Sequence, residues 1–323
     1  MEFAQLKLQQ QNFLHQYEQV GKSQNSLKCY RLDFECLNQF LLNPKFAQAQ
    51  INFDQVTLES FEQYLSNKYP NANSVRRKLQ TLRLFFDYLV REHSFPENPI
   101  KKLVSRPKQL LPPAPNFMPD LVKVNDYLNK RIAEASTSKE RLQFMRNQIL
   151  FILIYQCGLS VSQLGPLERS HFINIDTDSP RVTIHPPRRG PYTVPINGRY
   201  ASVIRNYFAI LSTEQMKDQI EFPQIFFNSN SFKLISGGIS PRGIEDIFKR
   251  ISSAAGVAMT PKSLRQSAVF RWLKEKHPLT NIKEWMGVAP SYNFSLYAQY
   301  ANNRADEVAE FGDLPIGQLD TLH

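Results

Sequence analysis

Apolar positions recur every three or four residues through the first hundred positions of the chain. In SLKCYRLDFECLNQFLL they fall at 27, 30, 34, 37 and 41, which on a helix makes one buried stripe, with Ser26 placed to cap its start. SVRRKLQTLRLFFDYLV repeats the pattern at 75, 79, 82, 86 and 89 behind Ser74, and VTLESFEQYL between them predicts a shorter helix capped by Thr57. Residues 12–103 therefore read as all-helical. NPIKKLVSRPKQLLPPAPNFMP then holds six prolines in 22 residues, which stops any helix and predicts an extended linker.

The pattern changes beyond the linker. Helices are predicted at about 120–135 and 140–157, the latter apolar nearly all round and so destined for a core. After a turn at Gly158 and a short helix, RVTIHPP and YTVPI predict a two-stranded hairpin with Arg188 and Arg189 at its tip. A helix at 199–211, a strand at 225–227 and helices at 240–255, 262–275 and 280–286 complete the pattern. The expected fold is mainly α with a small antiparallel sheet (α+β), in two domains, as 323 residues would suggest. Its expected parts are a helical domain at 1–103, a linker at 104–117, a second domain at 118–303 and an acidic tail at 304–323.

Charge adds a partner class. The formal net charge is +10, which points to a polyanion, and its distribution sharpens the point. From Lys68 to Lys108 ten Lys and Arg face three acids, whereas after Ala301 Arg304 stands alone against five acids. Arg76, Arg77 and Arg83 lie opposite the apolar stripe of their helix, with Lys78 beside them, at a helix start that already favours anions. Lys28, Arg31, Arg188, Arg189, Arg242, Lys262, Arg265 and Arg271 extend the set of cations expected to contact that polyanion.

Several chemistries are not expected. Cys29, Cys36 and Cys157 show no CxxC spacing, and the six histidines fall in unrelated segments without a metal-binding motif. Neither a Walker loop nor GxGxxG is present, and Asp176 and Asp178 sit in turn-like sequence. No cofactor or metal is expected. ILFILIY, at 149–155, is too short to cross a bilayer, so no membrane partner is expected, and three cysteines without a disulfide framework fit a reducing cytoplasm.

Two segments remain: GLSVSQLGPL, and TPKSLRQSAVFRWLKEKHPLTNIKEWMGVAPSYNFSLYAQY. Together they resemble the boxes of the tyrosine recombinase (phage integrase, Xer-like) family, approximately TGLRxSEL and TPHxLRHxxAxxL followed by LGHxxxxxTxxYxH. NFLHQYEQVGKSQNSLKCYRLDF, the helix at 75–90 and ENPIKKL resemble the family's helical core-binding domain, so that about residues 12–303 are covered.

The resemblance implies a chemistry. In that family a tyrosine attacks a DNA phosphodiester to form a 3′-phosphotyrosyl link, assisted by two arginines, a lysine and two histidine-type groups. Tyr297 falls at the nucleophile position and Arg265 at the second arginine. Ser160 replaces the first arginine, Lys262 and Gln266 replace the histidines of TPHxLRH, and Val288 replaces that of LGH. Pro187 stands where the hairpin lysine belongs, with Arg188 in reach only if the loop shifts. Losing one charge-stabilising donor typically costs about 10² to 10³ in rate.

The expectation is therefore a sequence-specific binder of double-stranded DNA that has lost strand cleavage. Such a protein would serve as a target-site recogniser for a transposon or other mobile element, self-associating on DNA or recruiting a transposase or regulator. The alternatives are an active recombinase using Tyr297, and a protein-interaction module with incidental basicity. The acidic tail is expected to be exchanged between neighbouring subunits, to dock on another basic protein or to remain solvated.

Overall fold

The structure, a computed structural model, describes residues 1–44, 51–92, 95–103, 112–177, 179–187 and 189–315. The chain divides into two compact units, Met1–Leu111 and Pro112–His323.

Unit 1 is built from α1 (Phe3–Gln19), α2 (Gln24–Leu41), α3 (Gln55–Lys68) and α4 (Ala72–Arg91). The predicted stripes form its core: Leu27, Phe34, Leu37 and Leu41 of α2 are buried, as are Val75, Leu79, Leu82, Phe86 and Leu89 of α4. Phe13 of α1 sits among the rings of Phe34, Phe85 and Tyr88, each within 5.7 Å of it. The caps lie one turn earlier than expected. Ser23, Asp54 and Asn71 cap α2, α3 and α4, their side chains accepting from the backbone N–H of Ser26, Thr57 and Asn73.

Part of the expected basic face is also reassigned. Lys78 is buried, and its ammonium donates to Asp33 at 2.9 Å. Arg77 donates to the same carboxylate through both terminal nitrogens, at 2.6 and 2.8 Å, and Thr81 Oγ1 donates at 2.8 Å. Lys78 also lies over the Tyr69 ring, 4.6 Å from its centroid. A cation saturated in this way ties α4 to α2 and is not free for a phosphate. Arg76, Lys28 and Arg31 are exposed, and Arg83 is half-buried.

Unit 2 begins with residues 112–117, the described end of the expected linker, which pack on it, while residues 104–111 lie outside the described residues. Asn116 N donates to Ser267 Oγ at 2.9 Å, and that hydroxyl donates back to Asn116 O at 2.7 Å. The elements that follow are α5 (Met118–Ala133), α6 (Ser138–Cys157), α7 (Val161–Leu164), β1 (Phe172–Ile173), β2 (Arg181–Ile184), β3 (Tyr192–Pro195) and α8 (Ala201–Asp218). After these come β4 (Phe227–Ser229), β5 (Leu234–Gly237), α9 (Pro241–Ala255), α10 (Pro261–Lys274), α11 (Leu279–Trp285), α12 (Ser295–Asn303) and α13 (Ala305–Ala309).

The three-stranded sheet runs β1-β2-β3, all antiparallel, with Val182 opposite Val194 and Ile184 opposite Tyr192. The expected apolar strand at 225–227 is a buried lead-in, and β4 starts at Phe227 to pair with β5, which the sequence pattern did not mark. Helix α6 is buried from Ile149 to Cys157, as its all-round apolarity demands.

The stretch expected as an acidic tail is, through residue 315, part of unit 2. Phe311 and Leu314 are buried. Tyr155 Oη donates to Gly312 O at 2.6 Å, Leu314 N donates to Tyr200 Oη at 2.8 Å and Asn125 Nδ2 donates to Pro315 O at 2.7 Å. Asp313 pairs with Arg199 at 3.5 Å. Residues 316–323 lie outside the described residues.

Candidate nucleic-acid interface and phosphate site

Helix α10 opens as its sequence requires. Thr260 caps it by accepting from Ser263 N at 3.0 Å, and Pro261 takes the first helical position, where no N–H is needed. Lys262 is exposed at this start. Arg265 lies one turn further on and faces inward. Its Nη2 donates to the backbone carbonyl of Met286, while its buried Nε has no partner among the described residues. Burial lowers its pKa, and the phenols of Tyr192, Tyr297 and Tyr292 surround it and favour its charge.

Tyr297, at the nucleophile position, is 7% exposed, whereas Tyr292 is 39% exposed. Burial raises the Tyr297 hydroxyl to about 12, and the nearby Tyr292 phenol adds to this; the side-chain amide of Gln266 and the charge of Arg265 oppose it. The ring packs against Phe270 and Phe294, with both centroids at 5.4 Å. Tyr300 is half-buried. Gln266 has a structural duty as well, its Oε1 accepting from Ala114 N at 3.0 Å. Val288 packs, half-buried, against the core.

The position of the first arginine holds a neutral hydrogen-bonded chain. Gln163 Oε1 accepts from Ser160 N and from Ser160 Oγ, both at 2.8 Å, and Gln163 Nε2 donates to Tyr192 Oη at 2.7 Å. Tyr192 is buried, and desolvation raises its pKa even though the Gln163 hydrogen bond and the charges of Arg189 and Arg265 act against it. Gly158 caps α6 in the left-handed region at φ 58°, and a Cβ there would lie 2.5 Å from the Trp272 ring. Glycine thus lets the 157–160 turn approach α10. Gly287, at φ 63°, brings the α11 end against Tyr192, whose hydroxyl would be 2.9 Å from an added Cβ.

The remaining expected cations divide. Arg189 is exposed at the hairpin tip, its guanidinium 4.5 Å over the Tyr192 ring, and Arg242 is exposed on the first turn of α9. Arg188 lies outside the described residues. Arg271 is buried, donating to Gln156 O at 2.9 Å and to Glu275 at 2.8 and 3.1 Å, so it fastens α10 to the end of α6 and is not available to DNA. Sequence reasoning missed Gln163, Tyr192 and Tyr292. Gln163 was within reach, since it stands where TGLRxSEL has its glutamate, whereas Tyr192 is brought in by strand pairing alone.

Among the described residues no group of three or more His, Cys, Asp or Glu could hold a metal ion, although His171 and His185 come together with ring centroids 5.1 Å apart. No helix among them is long and apolar enough to cross a membrane.

Known proteins match this architecture along most of its length. A family model for the phage integrase SAM-like domain matches residues 7–104. Tyrosine recombinase XerC of Anoxybacillus flavithermus is 27% identical over 297 residues, covering 88% of this chain and 91% of the relative. Tyrosine recombinase XerD of Listeria monocytogenes is 22% identical over 309 residues, covering 92% and 96%. Among solved structures, XerH site-specific recombinase bound to a palindromic difH substrate superposes with a TM-score of 0.70 at 16% identity, over 88% of this chain and 79% of that one. A lambda integrase (75–356) dimer bound to a COC′ core site gives 0.60 at 12% identity, over 87% and 94%. With its first unit matched by the SAM-like model, its second unit carrying the two boxes and relatives aligned over nearly their whole length, the chain is similar to the tyrosine recombinases from end to end.

Proposed function

We propose that the protein binds DNA sequence-specifically and holds a backbone phosphate at Arg265 and Lys262 without cutting the strand. The observation that carries this reading is the neutral Ser160–Gln163–Tyr192 chain at the position of the first arginine. A phosphorane needs positive charge aimed at its developing oxyanions, and a hydroxyl and an amide already engaged with each other supply none. Tyr297 adds to the argument: a buried phenol raised to about 12 is almost wholly protonated at neutral pH, and no imidazole at 262, 266 or 288 is present to assist it. Binding has no such requirement, because it draws on many phosphate contacts and on exposed cations such as Arg76, Arg189, Arg242 and Lys262.

On this reading the protein marks a target site for a mobile element, assembles there with further copies of itself or with a transposase or regulator, and is found on the nucleoid in the cytoplasm. A second reading, an active recombinase with Tyr297 as nucleophile, is favoured by the proximity of that phenol to the Arg265 charge. A duplex pool in a gel shift at two salt concentrations tests the first: affinity should fall steeply with salt. A nicked suicide substrate selected from that pool separates the two. No covalent complex is expected, and one that disappears in Tyr297→Phe establishes the second reading instead.

A further inference from the structure

Two phenols stand near Arg265 on the segment that follows α11, and they differ in access. Tyr297 is 7% exposed, its ring packed against Phe270 and Phe294, whereas Tyr292 is 39% exposed. Tyr292 lies in the loop that links α11 to α12, and the backbone of this loop is tied down along its length. Met286, at its start, gives its carbonyl to Arg265 Nη2, and Val288 N donates to Lys283 O at 3.1 Å. Lys283 Nζ donates to Pro290 O, and Tyr292 N closes a turn on Ala289 O at 2.9 Å. The Tyr292 ring stands edge-on to Phe294, with centroids 5.3 Å apart, and Phe294 in turn packs on Tyr297. The exposed phenol is thereby anchored through its ring, while its hydroxyl makes no hydrogen bond among the described residues.

An anchored ring with an unengaged hydroxyl loses little side-chain freedom when it binds, and no internal hydrogen bond has to be broken. Its neighbourhood decides the acceptor. Arg265 lies close to both phenols with a buried Nε that has no partner, and Lys262 is exposed at the start of the same helix. A phosphate drawn there by two cations offers oxygens that only accept, and a neutral O–H donates to them without adding a further buried charge. Positions 266 and 288 do not compete for this duty: Gln266 accepts from Ala114 N and its amide lies at Tyr297, and Val288 has no donor in its side chain.

We propose that Tyr292, and not Tyr297, is the phenol that meets the bound backbone phosphate, its hydroxyl donating a hydrogen bond to an oxygen of the phosphate held at Arg265 and Lys262. The proposal rests on the DNA-binding reading given above and adds a ligand-binding group to that site. The two tyrosines divide the work: Tyr297 fills the space between Phe270 and Phe294, and Tyr292 binds.

The test combines Tyr292→Phe, Tyr297→Phe and Lys262→Ala in the full chain with a duplex, selected from a random pool, in which each phosphate in turn is replaced by a methylphosphonate. That replacement removes one oxygen and the charge at a single position. Tyr292→Phe keeps the ring on Phe294 and should leave the thermal unfolding midpoint unchanged. On the unmodified duplex it should weaken binding about tenfold, as expected for a hydrogen bond to a charged acceptor. At one phosphate, the same one whose replacement cancels the Lys262→Ala loss, the methylphosphonate should abolish the difference between Tyr292→Phe and the unsubstituted protein in at least one diastereomer. Tyr297→Phe should stay within about twofold of the unsubstituted protein on every duplex. If Tyr292→Phe binds like the unsubstituted protein, if it loses the same factor whichever phosphate is replaced, or if Tyr297→Phe shows the coupling instead, the inference is overturned while the DNA-binding reading stands. Absence of salt-dependent affinity in the unsubstituted protein overturns that reading and the inference with it.

Discussion

Asp33 on α2 and Arg77 on α4 form a two-pronged ion pair at 2.6 and 2.8 Å, with the Asp33 carboxylate wholly buried. Lys78 and Thr81 fill its remaining acceptor positions, so three side chains of α4 share one anion through four hydrogen bonds. Asp33→Asn is expected to destabilise the chain by about 3 kcal/mol, because it leaves the Lys78 ammonium buried and without a counter-charge. Urea unfolding measures this. Arg76→Ala should leave the urea midpoint nearly unchanged and reduce DNA affinity, which separates the structural cations of α4 from the free ones.

Gly287 lies close against Tyr192, so that an added Cβ would stand 2.9 Å from the phenol oxygen. Gly287→Ala should cost about 2 kcal/mol, combining a left-handed backbone with a Cβ against the phenol hydroxyl. In a Tyr192→Phe background the same change should cost less, since the atom it strikes is gone. Thermal unfolding of the four proteins in the cycle reports the difference.

Positions 160 and 163 should behave as a unit. Ser160→Arg alone places a second guanidinium near Arg265 and deprives Gln163 Oε1 of the hydroxyl, one of its two donors, with an expected loss of about 2 kcal/mol. Adding Gln163→Glu supplies a counter-charge and should recover at least half of that loss. Equal stability of the single and double variants would show that the two positions are independent.

Lys276 occupies the left-handed region at φ 59°, just past the end of α10. Lys276→Gly relieves that conformation and should stabilise the chain by about 0.5 kcal/mol, after the added entropy of the unfolded glycine is counted. A small rise in Tm checks it.

His171 gives a pH dependence. Its Nδ1 accepts from Glu168 N at 3.1 Å, an arrangement open only to the neutral ring. Burial lowers its pKa first and the neighbouring His185 second, while Glu168 acts in the opposite direction. The unfolded chain therefore binds a proton more readily than the folded one, so this contribution to stability is present above the ordinary value of 6.5 and declines as pH falls below it. Denaturant midpoints between pH 7.5 and 5.5 should fall, and less so in His171→Gln.

Much of the fold was legible because its core is written in stripes: Leu27, Phe34 and Leu37, or Leu82, Phe86 and Leu89, are spaced so that only a helix buries them together. The helix starts were misplaced for one reason. Ser26, Thr57 and Ser74 are polar residues of the first turn, and the side chain that caps each turn sits three residues earlier, a distinction that periodicity does not carry. The site was legible where one segment holds it, as in Thr260 to Arg265, and illegible where distant segments meet. Tyr192 reaches Gln163 through the β2–β3 register, and Lys78 reaches Asp33 across two helices, so neither could be told from a surface residue by its neighbours in sequence.

The docking of Phe311 and Leu314 has a consequence for how the chain is made. Unit 1 holds all of its own core and can close while later residues are still being added. Unit 2 cannot, because two of its buried side chains, and the partners of Tyr155 and Tyr200, arrive near residue 314. During synthesis the surroundings of Arg265 and Tyr297 therefore form for a time on an unsealed body, and a chain cut short before Phe311 would have a finished first half and an open second.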